Sequence, residues 1–137
     1  MKPYEFFEHT ADIGVRVYGR TQEELFANAA GALYDVQGRF ELADRRMLKV
    51  ELAADSTEDL LVRWLSELLF RLSAESLVFQ HYRLQFPDPR RLVAQIEGGA
   101  VNFGRSEVFE EIKAVTYHQL SVQQTPDGWS ATVIFDV

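Results

Sequence analysis

Two aspartates in apolar surroundings are the residues whose side chains could do chemistry. Asp12 lies between an aromatic run at residues 4–7 and an alternating segment at residues 15–18. Asp136 is the penultimate residue of an otherwise apolar segment. Packing a carboxylate among apolar residues is unfavourable unless a cation or hydrogen-bond donors compensate its charge. Carboxylate oxygens are the ligands that hard cations such as Ca²⁺ and Mg²⁺ prefer.

These acids form one site only if the first and last strands of the fold are neighbours. In that arrangement Asp12, Asp136 and the terminal carboxylate of Val137 converge. Each acid also has an ordinary structural explanation. Asp12 can bond to nearby backbone, as short acids in connections do, and a strand at a chain end is often frayed. Because sequence alone does not pair strands, the pattern leaves the metal site and the structural roles both open.

Three further residues could take part in chemistry. Lys113 is the only lysine in the C-terminal half, and it could neutralise Asp136 or contact a partner or a phosphate. A solvated lysine on a strand is the ordinary alternative. His9 and His118 could be ligands or acid–base groups, but two isolated histidines form no motif. The chain has no phosphate-binding loop, dinucleotide fingerprint or nucleophile elbow.

Composition narrows the possible functions. The length of 137 residues is that of about one domain, which we expect to span residues 1–137. The lack of cysteine excludes disulfides, thiolate zinc sites and a cysteine nucleophile. The net charge of −7 disfavours direct binding of nucleic acid. No signal peptide and no apolar run of about 18 residues is present, so we expect a cytoplasmic protein with no membrane contact.

The elements that must position these residues can be predicted from the spacing of apolar residues and from capping signals. They are two helices and several strands. Helices are predicted over residues 22–36 and 57–73, each with an N-terminal capping signal, at Thr21 and Ser56. Strands are predicted over residues 6–9, 13–19, 47–54, 77–86, 92–96, 112–122 and 129–137. Between them we expect a hairpin turn at residues 87–89, a break at Gly98 and Gly99, and a loop at residues 106–111. Strands in runs rather than in alternation with helices indicate an α+β fold, mainly antiparallel sheet packed with two helices.

Three parts of the sequence resemble the archease family, and together they run nearly end to end. They are residues 4–14, ending in His-Thr-Ala-Asp-Ile-Gly, residues 60–70, and residues 112–118 with residues 133–137. The resemblance implies a small acidic accessory protein of the tRNA-splicing RNA ligase RtcB. Archeases promote guanylylation of the ligase's active-site histidine, and so its multiple turnover in tRNA splicing or RNA repair, without being ligases themselves.

The same resemblance implies roles for particular residues. Asp12, Asp136 and Val137 would bind a divalent ion, Ca²⁺ in the family's description, and Lys113 matches a lysine implicated in activating the ligase. It also implies that the first and last segments lie together, while residues 105–111 match the family less well and receive no role. RNA would be contacted only through the ligase. Two other functions stay open: a small metal-dependent phosphate-ester hydrolase, and a chaperone-like modulator of proteins.

Overall fold

The computed structural model describes residues 2–9 and 12–137. Within them the strands are β1 (Tyr4–His9), β2 (Asp12–Gly19), β3 (Gly38–Arg39), β4 (Arg46–Ala53), β5 (Leu77–Asp88), β6 (Arg91–Ala100), β7 (Glu107–Val108), β8 (Ala114–Thr125) and β9 (Gly128–Asp136). The helices are α1 (Gln22–Gln37) and α2 (Thr57–Glu75), with a short 3₁₀ turn at Phe103–Arg105. No helix in the described part of the chain is both long and apolar enough to cross a lipid bilayer.

The strands form three antiparallel sheets. The larger two have the orders β1-β2-β9-β8 and β4-β6-β5, and β3 pairs with β7. The helices pack against one face of the four-stranded sheet and against β5, and the indole Nε1 of Trp64 donates to the carbonyl of Phe26, 2.9 Å away, joining α2 to α1. This single compact domain confirms the α+β prediction.

Both helix predictions are confirmed, with ends one or two residues beyond those expected. The hydroxyl of Thr21 accepts from the amide of Glu24, and that of Ser56 accepts from the amide of Asp59, each at 3.1 Å. Each bond satisfies one of the amides that a helix start leaves without an intrahelical partner. α1 ends at Gln37, and Gly38 is its C-cap, at the position where the sequence predicted the helix to stop.

The predicted break at Gly98 and Gly99 is wrong, because both residues are buried inside β6. A Cβ atom on Gly98 would lie 1.9 Å from the carbonyl oxygen of Val78 on β5. A Cβ atom on Gly99 would lie 2.0 Å from the carbonyl oxygen of Asp44. Glycine is therefore needed here for the close approach of neighbouring backbone, not to end the strand.

Three other boundaries differ from prediction. The hairpin turn lies at Pro89 and Arg90 rather than at residues 87–89, since β5 is an edge strand and an edge strand tolerates Pro87. The predicted loop at residues 106–111 contains the short strand β7. The predicted strand at residues 112–122 begins at Ala114 and continues to Thr125, with an irregular register between Thr116 and Ser121.

Candidate functional site

The strands that carry the two aspartates are neighbours. β2 pairs with β9, and Asp12 lies directly opposite Asp136 in the register. Directly opposed residues in an antiparallel pair share one face, with their Cβ atoms about 4.5–5.5 Å apart. Both residues are partly exposed. The adjacency that the sequence left open is therefore present, and it places two carboxylates side by side.

The acid pair lies on the face of the four-stranded sheet that points away from the helices. Val15 on β2 and Phe135 on β9 are fully buried in the core on the helix side. Asp12 and Asp136 are each separated from these residues by an odd number of positions, so they point to the opposite face. The last segment is nevertheless held firmly, since Val137 packs against the core.

Next to the acid pair, the outer face of the sheet has an apolar row. Gly14 pairs with Phe7 on one side and with Ile134 on the other. The ring of Phe7 covers Gly14 so closely that a Cβ atom there would lie 2.3 Å from the Cζ of Phe7. Ile134 is fully buried on this face, and the guanidinium of Arg16 stacks 4.4 Å from the centre of the Phe7 ring. This packing explains the glycine two residues after Asp12.

Farther along the same face, a polar contact replaces the apolar row. The hydroxyl of Tyr18 donates to the carboxylate of Glu5, 2.8 Å away. This hydrogen bond to an anion is the main reason why the pKa of Tyr18 lies above its usual value. Glu5 is thus engaged within the sheet, at a distance of several rows from the acid pair.

Lys113 is joined to the acid pair through its backbone. Its amide donates to the carbonyl of Asp136 at 2.7 Å, and the next residue, Ala114, pairs with Asp136 in the register. The side chain of Lys113 is exposed. Both residues are described, and no ion pair joins their side chains. The exposed ammonium of Lys113 therefore forms no ion pair with Asp136, whose charge the sequence suggested it could neutralise.

Gln37 positions the segment that leads to Lys113. It is 4% exposed at the end of α1, and its carbonyl accepts from the amides of Phe109 at 2.9 Å and Glu110 at 3.4 Å. Its side-chain Oε1 accepts from the amide of Ile112 at 3.4 Å. Sequence reasoning missed this residue. The signal was its spacing, four residues after Leu33, which places a polar side chain on the buried stripe of α1.

The two histidines differ in where they lie. His9 is the register partner of Asp12 on β1, and Thr10 and Ala11, which complete the sequence motif, lie outside the described residues. His118 is exposed within the irregular part of β8, where its amide donates to the hydroxyl of Thr116 at 3.3 Å. Residues 117–120 have no register partner on β9, so His118 does not share the row of the acids.

Asp12 and Asp136 offer oxygen donor atoms. Among the side chains that the structure describes, at residues 2–8 and 12–137, no group of three or more His, Cys, Asp or Glu is placed to hold a metal ion. The pair by itself supplies two carboxylates, so a bound ion would need further ligands. Like charges directly opposed on a sheet are destabilising unless a cation compensates them. This donor set fits a hard divalent cation better than zinc or copper.

Comparison with known proteins gives one consistent result. The model of the archease protein family (MTH1598/TM1083) matches residues 4–137. The chain is 37% identical to the protein archease of Methanosarcina barkeri, over 99% of this chain and 97% of that protein. It is 36% identical to the protein archease of Pyrococcus abyssi, with both chains covered in full.

Solved structures agree with this similarity. The solution structure of Methanobacterium thermoautotrophicum protein 1598 is 31% identical, covers both chains in full and has a TM-score of 0.77. A crystal structure from Thermotoga maritima, described as an archease and possible chaperone, has a TM-score of 0.72 over 96% of this chain and 94% of that one. At 23% identity, it supports the fold alone.

Proposed function

This chain belongs to the archease family, and we propose that it is an accessory protein that activates the RNA ligase RtcB. Its role would be to promote guanylylation of the ligase's active-site histidine, and so repeated rounds of ligation in tRNA splicing or RNA repair. The observation that carries this proposal is the register pair of Asp12 and Asp136, joined through backbone to Lys113.

The accessibility of this site suits contact with a macromolecule. Asp12 and Asp136 are partly exposed and Lys113 is exposed, all beside one end of a sheet. Small-molecule sites usually enclose most of their ligand in a cleft. Charged groups at the end of a sheet can instead reach into the active site of a partner that binds the nucleotide itself. The proposed role is therefore to complete the ligase's site, not to form a separate one.

A hard divalent cation, Ca²⁺ in the first instance, would be held by Asp12, Asp136 and main-chain oxygen of Val137. When bound, such an ion supplies positive charge that can position phosphate oxygens. Lys113 would supply a second positive charge, because its ammonium is exposed and is not paired with Asp136.

The first test is single-turnover guanylylation of the cognate RtcB with and without this protein. Asp12→Asn, Asp136→Asn and Lys113→Gln are each expected to lower the stimulation by about tenfold or more, the scale of a lost charged contact. The matched control is Asp127→Asn, which removes an exposed acid at the turn joining β8 to β9, at the other end of the same hairpin. Full stimulation by folded Asp136→Asn protein would contradict the proposal.

The two other candidate functions give different results in the same assay. A chaperone-like role, in line with the description of the Thermotoga maritima protein, predicts an effect that survives loss of both acids. A metal-dependent hydrolase predicts turnover of a phosphate ester by the isolated protein, abolished by Asp12→Asn.

A further inference from the structure

We propose that a groove along α2, next to Lys113, docks a segment of the partner protein that carries apolar side chains together with arginine or lysine. This inference rests on the proposed function, because the partner in question is the RNA ligase. The groove, here called the α2 groove, runs between Leu69, Phe70 and Ser73 on one side and Phe103, Val108 and Ile112 on the other.

The α2 groove consists of two adjoining cavities of about 240 and 470 Å³. Four residues line both of them: Leu69, Ser73, Glu111 and Ile112. One cavity extends toward Phe103 and Val108, and the other extends toward residues 113–115. Its length therefore spans from the 3₁₀ turn to the start of β8.

Large apolar side chains are exposed along this groove. Phe70 is 54% exposed, Phe103 55% and Val108 61%, and the adjacent Phe109 is 51% exposed. Scattered exposed apolar residues are normal on a protein surface, but a contiguous group with a polar rim is typical of an interaction site. Val108 and Phe109 also interrupt an acidic segment that the sequence predicted to be a plain loop.

The charge of the groove indicates what kind of segment it accepts. Glu110 and Glu111 both line it, both are exposed, and neither forms an ion pair with a cation of the described residues. On the neighbouring helix surface, by contrast, Arg71 already pairs with Glu67 at 2.8 Å and with Glu75 at 2.9 Å. Two available carboxylates beside apolar side chains complement a segment with arginine or lysine. A second copy of this chain, with its net charge of −7, is a poorer match.

The groove lies on the helix side of the four-stranded sheet and reaches its edge at Lys113 and Ala114, while the acid pair lies on the other face. Its second cavity is lined by Lys113 and Ala114, and these are the residues bonded and paired to Asp136. The wall formed by residues 109–112 is held by the buried Gln37. A wall that is already fixed loses little entropy on binding, and an occupant of the groove would reach the edge strand β8 at Lys113, from which the acid pair lies around the edge of the sheet.

The test measures the affinity for the cognate RtcB separately from the activation that follows binding. The double variant Phe70→Ser with Val108→Ser is expected to raise Kd by about tenfold or more, and Met47→Ser is the control, since Met47 is 69% exposed but lies on the three-stranded sheet. Glu110→Gln with Glu111→Gln is expected to weaken binding at low salt and to reduce its salt dependence. Because the acid pair and Lys113 are intact, saturating amounts of either variant should restore guanylylation.

Three outcomes would overturn this inference. If the parent binds and stimulates the ligase and the Phe70→Ser, Val108→Ser variant has the same Kd, the groove is not the docking site and the proposed function stands. If the parent neither binds nor stimulates, the proposed function fails and the inference fails with it. If sedimentation shows a parent dimer that the double variant loses while its ligase affinity is unchanged, the groove takes a second copy of this chain.

Discussion

Charged side chains have different neighbours at two places in the larger sheets of this protein. At the three-stranded sheet, Glu97 on β6 is 2.6 Å from Arg45, which precedes β4, and Lys49 and Glu51 are 3.4 Å apart. On the four-stranded sheet, Glu5 is opposed to Arg16, but at the end of β2 Asp12 is opposed to a second acid, Asp136. Exposed ion pairs contribute little to stability but leave no excess charge. Directly opposed acids repel each other, and a cation bound between them would offset this repulsion.

Two glycines, one in each of these sheets, also differ in what they contact. Gly98 on the three-stranded sheet approaches backbone, the carbonyl of Val78, whereas Gly14 on the four-stranded sheet approaches the end of the Phe7 side chain. Backbone in a paired strand cannot move without breaking its hydrogen bonds, but a ring can rotate away. A side chain at Gly98 thus has no room, whereas the face at Gly14 beside the acids is covered by a side chain that can be displaced.

The largest expected effect is the loss of stability on replacing Gly98. Gly98→Ala should lower the free energy of unfolding by about 3 kcal/mol or more, since the new Cβ overlaps backbone. Gly14→Ala should cost about 1 kcal/mol or less, because only the Phe7 ring must move. Urea denaturation of both variants measures the difference. Equal losses of stability would contradict the distinction between these two glycine positions.

The next largest expected effect is the stabilisation of the protein by a divalent cation that binds the opposed acids. At a Ca²⁺ concentration about one hundred times Kd, binding to the native state alone should stabilise the parent by about 2.7 kcal/mol. Asp136→Asn should abolish this gain, and in EDTA it should be no less stable than the parent, because it removes one of two like charges. Thermal unfolding with Ca²⁺ and with EDTA measures both. A Ca²⁺-induced shift in Tm that Asp136→Asn retains would show that the ion binds elsewhere.

The smallest expected effect is the loss of stability on replacing either of two buried glutamines. One lies near the candidate site and the other at the three-stranded sheet. Gln37 holds the segment before Lys113, while Gln22 donates from its Nε2 to the carbonyl of Pro89, 2.9 Å away, at the turn of the three-stranded sheet. Replacing either by methionine should cost about 1–2 kcal/mol, since a buried polar group loses its partner.

The two glutamine variants should differ in how strongly they stimulate guanylylation of the ligase. Gln37→Met is expected to lower the stimulation of guanylylation at saturating concentration, because the backbone that joins Lys113 to Asp136 loses its anchor. Gln22→Met is expected to leave the stimulation unchanged. Equal stimulation by both folded variants would mean that Gln37 supports the fold without positioning the site.

The sequence by itself determined the elements whose causes are local. The apolar stripes and the capping residues Thr21 and Ser56 placed both helices within two residues of their ends, because helix formation depends on neighbours three or four positions away. Strand alternation gave most of the strands and the α+β class, and the archease resemblance is confirmed. The two aspartates were already unusual in their apolar settings.

Only the tertiary structure decided which residues that are distant in the sequence lie next to each other. Nothing local distinguishes a glycine that ends a strand from one that lets another backbone approach, so Gly98 was misjudged. Nothing local pairs Asp12 with a residue more than a hundred positions away either. The burial of Val15 and Phe135 decides which face each acid points to, since a slip of one residue would turn these apolar residues to the outer face. Burial therefore puts both acids on the same face, and the pairing of β2 with β9 brings them together.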